Sequence, residues 1–370
     1  MNSIKHVMPI IVSDDNILGA MHDEYTGCCG RRKRRVEAML DEDCVMDVVA
    51  EIRERLLSYD FALHPPVVFD RIENDKLRHI VAPDVEDAIL IRAITRVMEP
   101  LVYAKMTRHS YCPIPGRGGL LLARDVRRKL RKLQHANEVW LMEHPGARPR
   151  TIYALKGDVF HFFHSVAHAV GIDAVRRVCG SRGDARVIWL LDRMMGDHLD
   201  IGAGYSAMIA NAVLMPVDEE MESYIGVLAY YRYMDDVLLL FRSKDKAHAA
   251  RRKMEEVLNR YGLTMANKWQ VFDTETRPIV MGGFKIRRTG IHPSSHVCQG
   301  INRQLLKGIR IGFENLTPHE CRSLASRYGW IKNSDAFNYK TKWRKYNADI
   351  VFKRCRLPDG QACADGTVQT

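Results

Sequence analysis

The run Tyr231-Arg232-Tyr233-Met234-Asp235-Asp236-Val237-Leu238-Leu239-Leu240 places two adjacent carboxylates between two β-forming apolar stretches. Tyr231 and Tyr233 alternate before the acidic pair, and Val237, Leu239 and Phe241 alternate after it. That period of two predicts a tight hairpin with Asp235 and Asp236 at its tip. Asp is common in solvated turns, but an acidic pair held between apolar strands is costly unless something positive neutralises it. Hard divalent cations do so, because they take oxygen ligands.

A third carboxylate comes from Ile152-Tyr153-Ala154-Leu155-Lys156-Gly157-Asp158-Val159-Phe160-His161-Phe162-Phe163. The residues before Asp158 predict a buried strand, and those after it a turn into a helix. An aspartate at a strand end can sit beside the hairpin tip. Carboxylates so placed can hold two metals roughly 4 Å apart, which activate a hydroxyl and stabilise a leaving pyrophosphate in an in-line displacement.

Taken together, these segments resemble the catalytic motifs of reverse transcriptases, and the likeness runs in order along the chain from about Val67 to Tyr346. Asp75-Lys76-Leu77-Arg78-His79-Ile80 resembles the fingers strand of that family, and Ser110-Tyr111-Cys112-Pro113-Ile114-Pro115-Gly116-Arg117-Gly118 the motif that follows it. Leu199-Asp200-Ile201-Gly202-Ala203-Gly204-Tyr205-Ser206-Ala207 stands in the place of a Leu-Pro-x-Gly-x-x-x-Ser-Gln segment, and Asn267-Lys268-Trp269-Gln270-Val271-Phe272 and Met281-Gly282-Gly283-Phe284 follow. With Ser326-Arg327-Tyr328-Gly329-Trp330-Ile331-Lys332-Asn333, the set is most similar to bacterial and phage enzymes of diversity-generating retroelements and of anti-phage defence systems.

The resemblance implies an α+β right-hand polymerase fold with fingers, palm and thumb, and RNA-directed DNA synthesis with Mg2+ or Mn2+. It implies Asp158 and Asp235 as principal metal ligands, Asp236 as a weaker one, and the Val159 carbonyl as an added ligand. Lys76 and Arg78 are expected on the triphosphate of the incoming deoxynucleotide, and Ile201 near the nucleotide. Lys268 is a candidate general acid for pyrophosphate, or a surface lysine. Phe163, five residues after Asp158, is a candidate gate against a ribose 2′-hydroxyl, or a core ring. Gly282 and Gly283 suit a turn that grips a primer end, or a simple bulge. Asp200, Ile201 and Ala207 depart from the residues usual at those places, and Ile cannot supply the hydrogen bonds of an amide.

The chain has 370 residues, 46% of them hydrophobic, and a net charge of +11. That length supports a sizeable core in two or three lobes. The charge fits a polyanionic partner and is clustered. Arg31, Arg32, Lys33, Arg34 and Arg35 form one run, Arg124 to Lys132 another, and Lys340, Lys342, Arg344 and Lys345 a third, interleaved with Tyr339, Trp343 and Tyr346. Such runs are commonly solvated faces, but interleaved aromatics suit stacking on bases. Trp343 is therefore a candidate nucleic-acid contact.

Nine cysteines without Cys-x-x-Cys suggest reduced thiols. His292, His296, Cys298, His319 and Cys321 match no standard zinc-finger spacing. No apolar run is long enough to span a bilayer, and no leader pattern is evident, so a cytoplasmic protein with no membrane insertion is expected. The expected partners are a structured noncoding RNA template, the DNA product, deoxynucleoside triphosphates and an accessory protein. The expected organisation is a helical extension over 1–65, fingers and palm over 66–290, a helical thumb over 291–347 and a tail over 348–370. Two other readings stay open: an RNA-binding scaffold with a catalytically reduced polymerase fold, and a nucleotidyltransferase that is template-independent or protein-primed.

Overall fold

The computed structural model describes residues 4–73 and 76–355; of Glu73 and Lys76 only the backbone is described. Two compact units, each discontinuous in sequence, account for the chain: residues 1–114 with 155–271, and residues 115–154 with 272–370. Among the described residues no helix is long and apolar enough to cross a membrane.

The first unit contains a hairpin of β1 (Val67–Glu73) and β2 (Lys76–Ala82), paired from Val67↔Ala82 to Glu73↔Lys76. A helix then starts at Val85, with Asp84 as its N-cap accepting from the Glu86 N–H, a role that suits an aspartate ahead of an apolar-periodic run. Val36, Met39, Leu40, Val45, Val48, Val49, Ile52 and Leu56 recur near a helical period, but the stretch forms two helices, Gly30–Met39 and Val45–Leu57. The break falls at Asp41, whose carboxylate accepts from the Asp43 N–H at 3.2 Å. Such a side chain offers the backbone an alternative to the helical bond.

The sheet that positions the acidic residues has four strands. β3 is Tyr153–Gly157, β4 Ala229–Tyr233, β5 Asp236–Phe241 and β6 Gln270–Asp273, in the order β4-β5-β3-β6. β5 reads Val-Leu-Leu-Leu-Phe after its first residue, and all five side chains are buried. A strand apolar throughout is covered on both faces. Helices Val85–Tyr103, Ser206–Glu222 and Lys244–Asn259 join it in one apolar core.

In the second unit the basic run Arg124 to Lys132 lies in the middle of a helix, Gly119–Glu143. A three-stranded sheet, β7 (Ile279–Met281), β8 (Phe284–Ile286) and β9 (Ile291–Pro293), has its strands in sequence order. Among the described residues four α-helices follow: Ser295–Ile311, Pro318–Lys332, Phe337–Lys345 and Ile350–Arg354. Their shared core is built on Trp343, with Leu305, Leu324, Ile331, Ala348 and Val351 around it. Ala348 and Val351 are therefore core residues of this unit rather than part of a tail; residues 356–370 lie outside the described part.

The expectation for Trp343 is corrected here. It is 1% exposed, its ring lies 4.3 Å from that of Tyr328, and its Nε1 donates to Asp349 at 2.8 Å. The flanking lysines and arginine point outward while the large ring gains most by burial, so Trp343 is no stacking platform.

Candidate active site

β4 and β5 close in a two-residue turn, Met234-Asp235, with Tyr233 opposite Asp236. Asp235 thus sits in the turn and Asp236 opens β5. Met234 takes φ +55°, a left-handed conformation that hairpin turns usually give to glycine. A residue held there costs on the order of 1 kcal/mol and persists where its surroundings over-determine it.

Arg232 does that. Its Nη1 donates to the Met234 carbonyl at 2.9 Å and to Asn211 Oδ1 at 2.7 Å. Its Nε and Nη2 meet Asp218 in a bidentate pair at 2.6 and 2.7 Å. Arg232 and Asp218 are both 1% exposed. Burial, and after it the Asp218 carboxylate, push the Tyr230 hydroxyl well above its ordinary value, so it remains a donor to Asp218. The outer edge of β4 is covered by residues 109–111, through Arg232 N–H to His109 O and Tyr111 N–H to Arg232 O, both 2.9 Å. Tyr233 is pushed up to about 12, first by burial and then by Cys112, to which it is hydrogen-bonded. The acidic turn therefore stands on a buried base of paired Arg232, Asp218 and Tyr230. Sequence reasoning gave no role to Arg232 or Asp218; Arg232 stood as a charge between two tyrosines, while Asp218 was one of three adjacent acids.

Asp158 follows the last residue of β3, which lies beside β5. Lys156 Nζ meets Asp236 Oδ1 at 2.8 Å, so the end of β3 lies against the start of β5. Lys156 was also missed, because nothing local announces a pair that is 80 residues apart. Beyond β3, Ala266 N–H donates to Asp158 O at 2.8 Å and Phe160 N–H to Thr264 O at 2.9 Å. This bridge faces Val159 with Met265 but uses neither the N–H nor the carbonyl of Val159, which point the other way.

The oxygen donors available are thus three carboxylates and the Val159 carbonyl. They fit a hard divalent cation. The three carboxylates do not all converge within 4.8 Å of one another. Like charges repel, and Asp236 is turned to Lys156. Among the described residues the trio that does converge is His64, Asp84 and Glu86, where Arg35 already pairs with both acids at 2.8 and 3.0 Å. The His292, His296, Cys298, His319 and Cys321 set forms no such group.

The family described as "Reverse transcriptase (RNA-dependent DNA polymerase)" matches residues 72–286. The chain belongs to that family. No curated protein sequence matches it. Among solved structures it is similar to telomerase from Candida albicans in complex with a fragment of telomeric RNA. That match has 13% identity over 76% of this chain and 56% of that one, with a TM-score of 0.45. It is also similar to apo telomerase from Candida tropicalis truncated from its C-terminal domain, at 10% identity over 62% and 55%, again with a TM-score of 0.45. The chain spans just over half the length of these telomerases.

The remaining residues expected from the reverse transcriptase motifs fall as follows. Arg78 is half-buried on β2, opposite Arg71; the Lys76 side chain lies outside the described part. Phe163 is half-buried against the core, while its neighbour Phe162 is 4% exposed and takes the core position. The Ile201 carbonyl accepts from the Val81 N–H at 2.9 Å, so this loop is tied to β2 by backbone. Gly202, at φ +113°, admits that approach: a Cβ there would lie 2.6 Å from the Val81 oxygen. Lys268 is exposed in a turn. His161, His164 and His168 do not share a helix: His161 precedes Phe162–Ser165, which holds His164, and His168 opens the next helix.

In the second unit Gly282 and Gly283 form the two-residue turn of β7 and β8, at φ +54° and +81°. Two positive values in sequence require the primed turn that glycine permits, so this is a hairpin turn and not a bulge. It is closely packed: a Cβ on Gly119 would lie 2.3 Å from the Gly282 oxygen, and one on Gly283 equally close to Trp330.

The basic runs divide. Arg32 pairs with Glu24 at 2.6 Å and donates to the Pro83 carbonyl, Arg35 pairs with Asp84 and Glu86, and Lys33 lies over the Tyr25 ring. These three hold their helix in place, and Arg31 and Arg34 remain exposed. Lys340 donates to the Ser334 carbonyl at 2.6 Å, whereas Lys342, Arg344 and Lys345 are exposed.

Proposed function

We propose that this chain is an RNA-directed DNA polymerase that copies a structured noncoding RNA into DNA from deoxynucleoside triphosphates. We place it in the cytoplasm of a bacterium, serving a retroelement or an anti-phage defence system of bacterial or phage origin. The observation that carries the reading is the pairing of β3 with β5, which sets Lys156 against Asp236 and brings the strand end before Asp158 to the same sheet as the Asp235 turn. Family membership supports it.

Asp158, Asp235 and the Val159 carbonyl would hold Mg2+ or Mn2+. Bound there, divalent cations supply Lewis-acid activation of a primer hydroxyl and stabilisation of the departing pyrophosphate. Lys156 holds Asp236 in place at the edge of that set, which suits a secondary ligand. Arg78, with Lys76, offers positive charge where the leaving group develops its own, and exposed Lys268 can lend a proton to pyrophosphate. The Phe163 ring offers a 2′-hydroxyl no hydrogen bond. The Gly282-Gly283 turn offers backbone to a primer end.

The test is incorporation on a primed RNA template. Asp235→Asn is expected to abolish deoxynucleotide incorporation while leaving RNA binding intact; undiminished synthesis would refute the carboxylate assignment. RNA binding with no synthesis by the unaltered chain would favour the scaffold reading.

A further inference from the structure

The helix Gly119–Glu143 buries Leu122, Val126, Leu130 and Leu133 along one side. Its opposite side carries a stripe. Arg124, Arg128, Arg131 and His135 recur at intervals of four, three and four, with Lys132 alongside, and all five are exposed. Residues so spaced share one face of a helix.

At 1.5 Å per residue Arg124 to Lys132 spans roughly 12 Å, with Arg124, Arg128 and Arg131 about 5 Å apart along the axis, a spacing comparable with that of successive phosphates along one nucleic-acid strand. Neighbouring acids offset little of it. Asp125 reaches Arg128 at 2.9 Å, but the Arg128 side chain is 76% exposed, and Arg124, Arg131 and Lys132 make no ion pair among the described residues. Lys129 is held below its ordinary value by burial and then by Lys132. Arg127 alone turns inward, to the Arg288 and Thr289 carbonyls at 3.3 and 3.0 Å and to Asp335 at 3.4 Å. It anchors the helix, so the stripe is presented on a rigid rod.

The surroundings offer bases one small exposed ring, His135, to stack on. Trp140 is the one Trp, Tyr or Phe ring on this helix, and it already carries Arg150, 3.8 Å from the centroid, and stacked His144 at 4.7 Å. Proteins that hold single strands pair a basic groove with open aromatic platforms. A straight row of guanidinium groups without such a platform suits the backbone of double-helical RNA, which is recognised chiefly by shape and phosphate.

We infer that the Arg124-Arg128-Arg131-Lys132 face is a docking surface for a double-helical segment of the RNA partner. The inference rests on the polymerase reading for the existence of that RNA. Beyond Lys132 the exposed side continues with His135, set 3.9 Å from the exposed acid Glu138, and with apolar Val139 and Met142, which bounds the positive footprint.

The experiment measures binding of the full chain to a short RNA duplex across a salt series, without deoxynucleotides. Arg124→Gln, Arg128→Gln, Arg131→Gln and Lys132→Gln are combined, since Gln keeps helix propensity near that of Arg and Lys. Four lost phosphate contacts should flatten the slope by about 3.6, so that between about 50 and 200 mM salt the unaltered chain loses roughly a hundredfold more affinity than the variant. A second variant with the three arginines as Lys should keep the slope, separating lost charge from a disturbed helix. An unchanged slope in the Gln variant would overturn the inference. So would equal flattening on unpaired RNA, or competition by polyglutamate as strong as by duplex RNA, which would point to an acidic protein. Binding is read apart from synthesis, so a slope change without incorporation would fault the polymerase reading, and incorporation without a slope change would fault the stripe.

Discussion

Replacing Arg232 with Met removes the support of the acidic turn while roughly preserving volume. The substitution strands Asp218, itself 1% exposed, with the Tyr230 hydroxyl as its remaining side-chain partner among the bonds described above. Removing one partner of a buried ion pair costs about 3–5 kcal/mol, because the remaining charge keeps its desolvation penalty. In a unit of this size each kcal/mol lowers Tm by about 2–4 °C, so a fall of roughly 6–20 °C is expected. Replacing both charges, with Arg232→Met and Asp218→Leu, removes the penalty along with the pair, and the double variant should be more stable than the single. Both should lose incorporation, because the Met234 carbonyl loses its donor and the turn its fixed geometry. Thermal unfolding by circular dichroism, with primed-template incorporation alongside, provides the assay. A single variant that loses less than about 1 kcal/mol, or a double variant no more stable than the single, would refute the reasoning.

Phe163→Ala should raise ribonucleotide relative to deoxynucleotide incorporation; an unchanged ratio in a folded, active variant would return the ring to a packing role. Trp343→Ala should destabilise the second unit by about 3–5 kcal/mol while leaving RNA affinity at low temperature nearly unaltered, and an unchanged melt with lost RNA binding would reverse that assignment. Burial raises the Asp84 carboxyl, but the Glu86 N–H and Arg35 outweigh it, so its pKa is lowered on folding. Its contribution is therefore present above the unfolded value near 3.9 and is lost as pH falls through the folded one. Arg35→Gln should lower the denaturant midpoint at pH 7 and reduce its further drop toward pH 3; parallel curves for variant and unaltered chain would contradict this.

The sequence by itself determined whatever rests on neighbouring residues. The β1–β2 hairpin, the Asp84 cap and the β4–β5 turn follow from alternation, capping chemistry and turn composition, each acting over a few residues. The acidic pair and Asp158 stood out because carboxylates beside apolar strands call for a counter-charge. Tertiary structure decided what depends on distant partners. Lys156 meets Asp236 only because β3 lies beside β5, an order that no local pattern encodes. Arg232 and Asp218 had no legible role until the helix Ser206–Glu222 packed against β4. Trp343 stood among cations and resembled a surface ring, yet the energy of burying an indole turned it inward and left the cations outside. The basic residues from Arg124 to Lys132 were visible as a run. Which of them face solvent was fixed when the helix buried its leucines and Arg127 found its carbonyls, because a side chain's role follows from what its backbone is held against.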